Sequence, residues 1–176
     1  MKTKFLFSAL SIAFFFLSCS SSSQKDMGLK KQIDNLEGKL FSQESEYNAD
    51  DAKQLMDLYI RFADSLPSDS LTPEYLFKAA DISMYVSDGM TTIRLLDRIM
   101  NNYSMHEKAS VSLFLKAFIF DTKLNDTASA HVYYNQYIEN YPDKEFNEDA
   151  RNAIRNLGKT PEQLIDEFEK MNAGIE

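Results

Sequence analysis

From Leu29 onward the apolar residues of this chain recur at spacings of three and four, the period of a helix with one buried face. Leu29, Ile33, Leu36 and Leu40 form the first such stripe. It packs either against its own domain or, as a short coiled-coil seam, against another chain; two heptads do not separate these. Residues 43–48 are polar and read as a connection. Asn48 can cap a second helix striped with Leu55, Leu58, Tyr59, Phe62 and Leu66, with Asp50 and Asp51 in its first turn and Pro67 as its stop. Thr72-Pro73-Glu74 opens a third, with a capping hydroxyl, a proline where no N–H is needed and an early acid. It runs to about Ser87, Asp88-Gly89 turns the chain, and residues 90–103 return with Ile93, Leu96, Ile99 and Met100 inward.

The spacing Ser104-Met105-His106-Glu107 is that of a capping box and opens the next long helix. Leu124-Asn125-Asp126 turns it, and Asp126 caps a partner with Ala130, Tyr134, Tyr137 and Tyr141 along one side, stopped by Pro142. A shorter helix over about residues 146–156 ends at Leu157-Gly158. Thr160-Pro161-Glu162-Gln163, the cleanest capping box in the chain, opens a last one bearing Leu164, Ile165, Phe168 and Met171. The expectation is an all-α chain of about eight helices in antiparallel succession, with no strand.

The chain also echoes itself. Tyr75-Leu76-Phe77-Lys78-Ala79 matches Leu113-Phe114-Leu115-Lys116-Ala117, and Asp88, Asn102 and Tyr103 recur as Asp126, Asn140 and Tyr141. One offset of 38 positions covers every pair. A constant period of this length is the mark of a stacked array of helix pairs. The clearest units span residues 72–104 and 109–142, followed by C-terminal helices over 146–172, all within one domain over 28–176.

Composition narrows the function. The formal charge of the 176 residues is −8, and residues 1–18 contribute Lys2 and Lys4 and no acid. That balance argues against nucleic acid, whose phosphates need a basic footprint. His106 and His131 have no Cys, His or acid at metal-ligand spacing, and there is no glycine-rich phosphate loop. Acid pairs such as Asp50-Asp51 and Glu148-Asp149 lie near helix starts, where the helix dipole accounts for them better than a catalytic dyad does. No catalytic residue, metal or cofactor is expected. Tyr134, Tyr137 and Tyr141 read as a core seam, and Tyr133, off that seam, is a candidate for a binding groove.

The N-terminus supplies an address. Residues 1–18 have a basic start and an apolar run over 5–17, the layout of a secretory signal peptide. Cys19, the sole cysteine, follows directly, where no internal disulfide is open to it. Phe16-Leu17-Ser18-Cys19 resembles the lipobox of bacterial lipoproteins, although Phe and Leu stand where smaller or other residues are commoner. The resemblance implies that Cys19 is acylated and becomes the mature N-terminus, with residues 19–27 as a flexible tether. At about 0.8 kcal/mol per buried methylene, several acyl chains would hold the protein at a membrane almost permanently. The serines after Cys19 are similar to those of outer-membrane lipoproteins of the Bacteroides group, which leaves the periplasmic and surface faces both open.

The two central units resemble tetratricopeptide repeats. Leu113 with Ala117 and Phe120, and Tyr75 with Ala79 and Ile82, match the bulky-then-small pattern of that family's first helix. Ala130, Tyr134 and Pro142 match the second. Thr92, Leu96, Ser104 and Tyr137 depart from it, and the period exceeds the family's 34. Asp149-Ala150 and Ile154-Arg155-Asn156-Leu157-Gly158 resemble tetratricopeptide lipoproteins of bacterial envelopes, among them the barrel-assembly lipoprotein and periplasmic cell-division coordinators. The resemblance implies a right-handed superhelical array whose concave groove holds a protein or peptide, in a lipid-anchored adaptor with no catalytic residues. The alternatives are a lipoprotein that binds a small ligand or glycan, and an enzyme with an unrecognised helical site.

Overall fold

The computed structural model of the chain describes residues 20–42 and 48–174. Among them are eight helices and no strand: α1 (Ser20–Leu40), α2 (Ala49–Ser65), α3 (Thr72–Val86), α4 (Gly89–Asn102), α5 (Lys108–Thr122), α6 (Thr127–Asn140), α7 (Asn147–Asn156) and α8 (Pro161–Ala173). From α1 to α7 each helix packs on the one before it, and α3 also touches α5. Short connections make each return antiparallel, so the result is an all-α array of packed helix pairs.

The 38-residue echo has a structural cause. α3 and α5 are each 15 residues long, and α4 and α6 are each 14. Asp88 caps α4 by accepting from the Thr91 N–H at 2.7 Å, and Asp126 caps α6 by accepting from the Ser129 N–H at 3.0 Å. Those hydrogen bonds, from the Thr91 N–H in one case and from the Ser129 hydroxyl and N–H in the other, hold both carboxyls below the usual range. At the other end Tyr103 and Tyr141 close the helices in nearly the same conformation, each donating its N–H four residues back. The recurring Asp88/Asp126 and Tyr103/Tyr141 are thus the start and stop signals of the second helix in each pair.

Packing divides into two clusters. In the first, α1 to α4 meet around Ile33, Leu55, Tyr59, Phe62, Leu76 and Leu96. Tyr75 stacks on Tyr59 with centroids 5.1 Å apart and takes Phe62 edge-on at 4.7 Å. Each such aromatic pair adds about 0.5–1.5 kcal/mol beyond area burial. In the second, Leu113, Ala117, Ala130, Tyr134, Tyr137 and Ala150 join α5, α6 and α7. Phe114 is its hub, 5.6 Å from both tyrosine rings and stacked on Phe146 at 4.8 Å. The stripe on α1 joins the first cluster: Leu29 and Ile33 are buried, and Leu36 and Leu40 pack against it. It serves its own domain.

Several expectations need correction. Helix α1 begins at Ser20, so the stretch expected as a flexible tether is helical; once a packed helix is nucleated, each further turn adds hydrogen bonds at low cost. Cys19, residues 1–18 and most of the 43–48 connection lie outside the described residues. Thr72 does not cap α3: its hydroxyl donates to the Leu66 carbonyl at 2.5 Å, tying the loop to the end of α2. The capping-box spacing at Ser104 opens nothing, because α5 starts at Lys108. The segment before it is instead a turn in which the His106 N–H donates to Tyr103 and His106 Nδ1 accepts from the Lys108 N–H at 3.3 Å. Helix α7 starts one residue later than expected. The box at Thr160 does form, but α8 buries none of its residues.

Two backbone positions shape the connections. Asn125 (φ 50°) and Gly158 (φ 74°) adopt the left-handed conformation that turns the chain between α5 and α6 and between α7 and α8. At Gly89 the limit is space, since an added Cβ would lie 3.1 Å from both Ile119 and Leu124.

Candidate functional site

Between α4 and α6, with α5 as floor, lies a groove of about 290 Å³. Asp97, Met100 and Asn101 come from α4, and Ala109, Leu113 and Lys116 from α5. Tyr133, Gln136, Asn140 and Tyr141 come from α6 and its end. α5 packs against both α4 and α6, and side chains from those two flanking helices wall the groove above it.

Lys116 is the unusual member. It sits within Leu113-Phe114-Leu115-Lys116-Ala117-Phe118-Ile119-Phe120 and is 9% exposed. Its Nζ donates to Asp97 Oδ1 at 2.7 Å and lies 4.2 Å from the centre of the Tyr133 ring. That ring is stacked in turn on Phe120, 5.2 Å away with planes 14° apart. A buried ammonium needs such partners, because an unpaired charge away from water costs far more than the pair returns. The ion pair and the ring therefore fix the middle of the groove. Around them Asn101, Gln136 and Asn140 offer amide groups that both donate and accept. Met100, Leu113 and Tyr141 supply apolar surface.

The residues singled out from sequence fall on two sides of this site. Tyr133 lines the groove; Leu113 and Tyr141 line it while also packing inward. Tyr75, Ala79, Ala117, Ala130 and Tyr134 are buried in the helix contacts, Phe120 is half-buried, and Pro142 is exposed. Burial pushes the hydroxyls of Tyr134 and Tyr59 well up from the usual tyrosine value, with Asp121 adding to the first and a hydrogen bond to Glu37 adding to the second. Sequence reading missed Lys116, Asp97, Asn101, Gln136 and Asn140 as groove residues. The signal was available for one of them: a lysine repeated at 78 and 116 within two apolar stretches.

His131 is exposed, and the Asn135 side chain lies within hydrogen-bonding distance of its ring and its carbonyl. Among the described residues no group of three or more His, Cys, Asp or Glu is placed to hold a metal ion. Nor is any described helix long and apolar enough to cross a membrane. No family model matches the chain, and neither a curated protein nor a solved structure shows a significant match to it.

Proposed function

We propose that this chain is a tetratricopeptide-like lipoprotein, anchored at a bacterial envelope membrane through Cys19, that binds a segment of another protein. The observation that carries the reading is the groove between α4 and α6. Its three amide side chains can pair with the N–H and C=O groups of a peptide, and Ala109 and Leu113, beside Lys116 on its floor, offer a small apolar patch to a side chain. At about 290 Å³ it lies at the lower edge of the roughly 300–1,000 Å³ of small-molecule sites. That size favours side chains of a bound segment over a whole ligand. The 38-residue echo supports the helix-pair family, and the lipobox-like sequence before Cys19 supports the anchor.

The test is in-cell crosslinking and affinity purification of the full-length protein beside Gln136→Arg, which fills the groove from its exposed wall without entering the core. Envelope proteins recovered with the parent and lost from the variant support the adaptor reading. Equal recovery from both refutes the groove as the binding surface. If recovery is empty and a soluble glycan or metabolite raises the melting temperature, the ligand-binding alternative replaces it. The anchor is tested separately: Cys19→Ser releases the protein from membrane fractions if lipidation holds it there.

A further inference from the structure

Helix α8 is a formed helix that, among the described residues, buries none of its own side chains. Ile165, Phe168 and Met171 are 58%, 63% and 60% exposed, and Leu164 is exposed as well. Leu164, Phe168 and Met171 follow the i, i+4, i+7 spacing by which a helix lays one face into a groove. Local contacts support the helix. Thr160 and Gln163 cap it reciprocally, with Gln163 Oε1 accepting from the Thr160 N–H at 2.9 Å. Lys159 pairs with Glu167 across its first turns at 2.5 Å. A helix already ordered in the free protein loses less entropy on docking.

The charges say what covers this face. Helix α8 carries Glu162, Asp166, Glu167 and Glu169 against the single base Lys170. At 3.6 residues per turn Glu167 borders one edge of the apolar stripe, and Glu162 and Glu169 border the other. Two copies of α8 laid face to face would bring those acidic edges together. An anionic lipid surface would repel them likewise. We propose that α8 is a docking helix that lies in an apolar groove of a partner protein rimmed by lysine and arginine. This surface is separate from the groove between α4 and α6 and does not depend on what that groove binds.

The experiment places a photo-crosslinking benzoylphenylalanine at position 168 of the full-length protein in its own cells, with the same residue at position 163, on the opposite face, as control. The expected result is an adduct from position 168 and none from 163, with the crosslinked peptide of the partner flanked by Lys or Arg. Charge reversal by Glu162→Lys and Glu169→Lys together, both exposed at one edge of the stripe, is expected to abolish that adduct, whereas Gln136→Arg leaves it intact. Five outcomes overturn the proposal: no adduct, an adduct to lipid, to a second copy, or to α6 or α7 of the same chain, or an adduct indifferent to charge reversal. Loss of the adduct in Gln136→Arg overturns the separateness of the two surfaces.

Discussion

The lysine that recurs between the two central helix pairs meets two different surroundings. Lys78, on α3, reaches back to Glu37 of α1 at 2.7 Å, and Tyr59 donates its hydroxyl to the same carboxylate. It lies 5.7 Å from the rings of both Tyr59 and Tyr75, and nearly half of its side chain stays in water. Lys116, on α5, reaches Asp97 of α4 at the same 2.7 Å, but only 11% of its side chain is exposed. In each case a lysine sits over tyrosine and pairs with an acid from an earlier helix. One straps the first helix to the array; the other forms the floor of the groove. Position in the array, not the residue itself, decides which role the lysine takes.

The largest test of the likeness between the two pairs is at their small residues. Ala79 and Ala117 are both fully buried, so Ala79→Arg and Ala117→Arg should each cost on the order of 3 kcal/mol or more through overpacking and a buried charge. Thermal unfolding checks this. A drop for one and none for the other would break the shared register. The next test separates the lysines. Asp97→Ala leaves Lys116 charged and poorly solvated and should cost about 1–3 kcal/mol. Lys78→Ala removes the partner that water can reach and should cost about 1 kcal/mol or less in urea unfolding, because the buried Tyr59 hydroxyl still donates to Glu37.

The acid and alkaline limbs of stability sharpen the same contrast. Burial pulls the Glu37 carboxyl up, but hydrogen bonds from Lys78 and Tyr59 outweigh it and hold it below its ordinary value of 4.5. Its folded pKa is the lower one, so its contribution is present above about pH 4.5 and is lost as the pH falls through the folded value. Glu37→Gln should blunt that loss in an acid titration followed by circular dichroism. Tyr59 and Tyr134 are shifted the other way. Their contribution is complete below pH 10.0 and is lost above it, as the unfolded chain ionises first. Tyr59→Phe and Tyr134→Phe should each soften the alkaline limb. A comparably small effect is at Thr92, which accepts from Ser83 Oγ at 2.8 Å where the second pair has Ala130. Thr92→Ala converts one pair toward the other and should cost about 1 kcal/mol, since Ser83 keeps its bond to the Ala80 carbonyl.

Helix number and most boundaries were legible because they rest on local signals, such as Asn48, Asp88, Asp126 and the Thr160 box. The failures came where tertiary contacts outcompeted those signals. Thr72 turns its hydroxyl to Leu66 and not to its own helix. The apparent box at Ser104 yields to a turn centred on His106. The stripe of α8 resembles any core stripe in sequence, and only the fold leaves it uncovered. Tyr133 was identifiable because it stands off the tyrosine seam. Lys116 was not assigned to the groove because its acid, Asp97, lies 19 residues away on another helix.

The central claim is that the groove between the two helix pairs holds a protein segment. The most direct measurement is hydrogen–deuterium exchange of the full-length protein with and without the partner recovered by crosslinking. The account predicts slowed exchange in α4, α5 and α6 together, around Asp97, Lys116 and Gln136. Slowing confined to α1 and α2, or absent from all three groove helices, would contradict it.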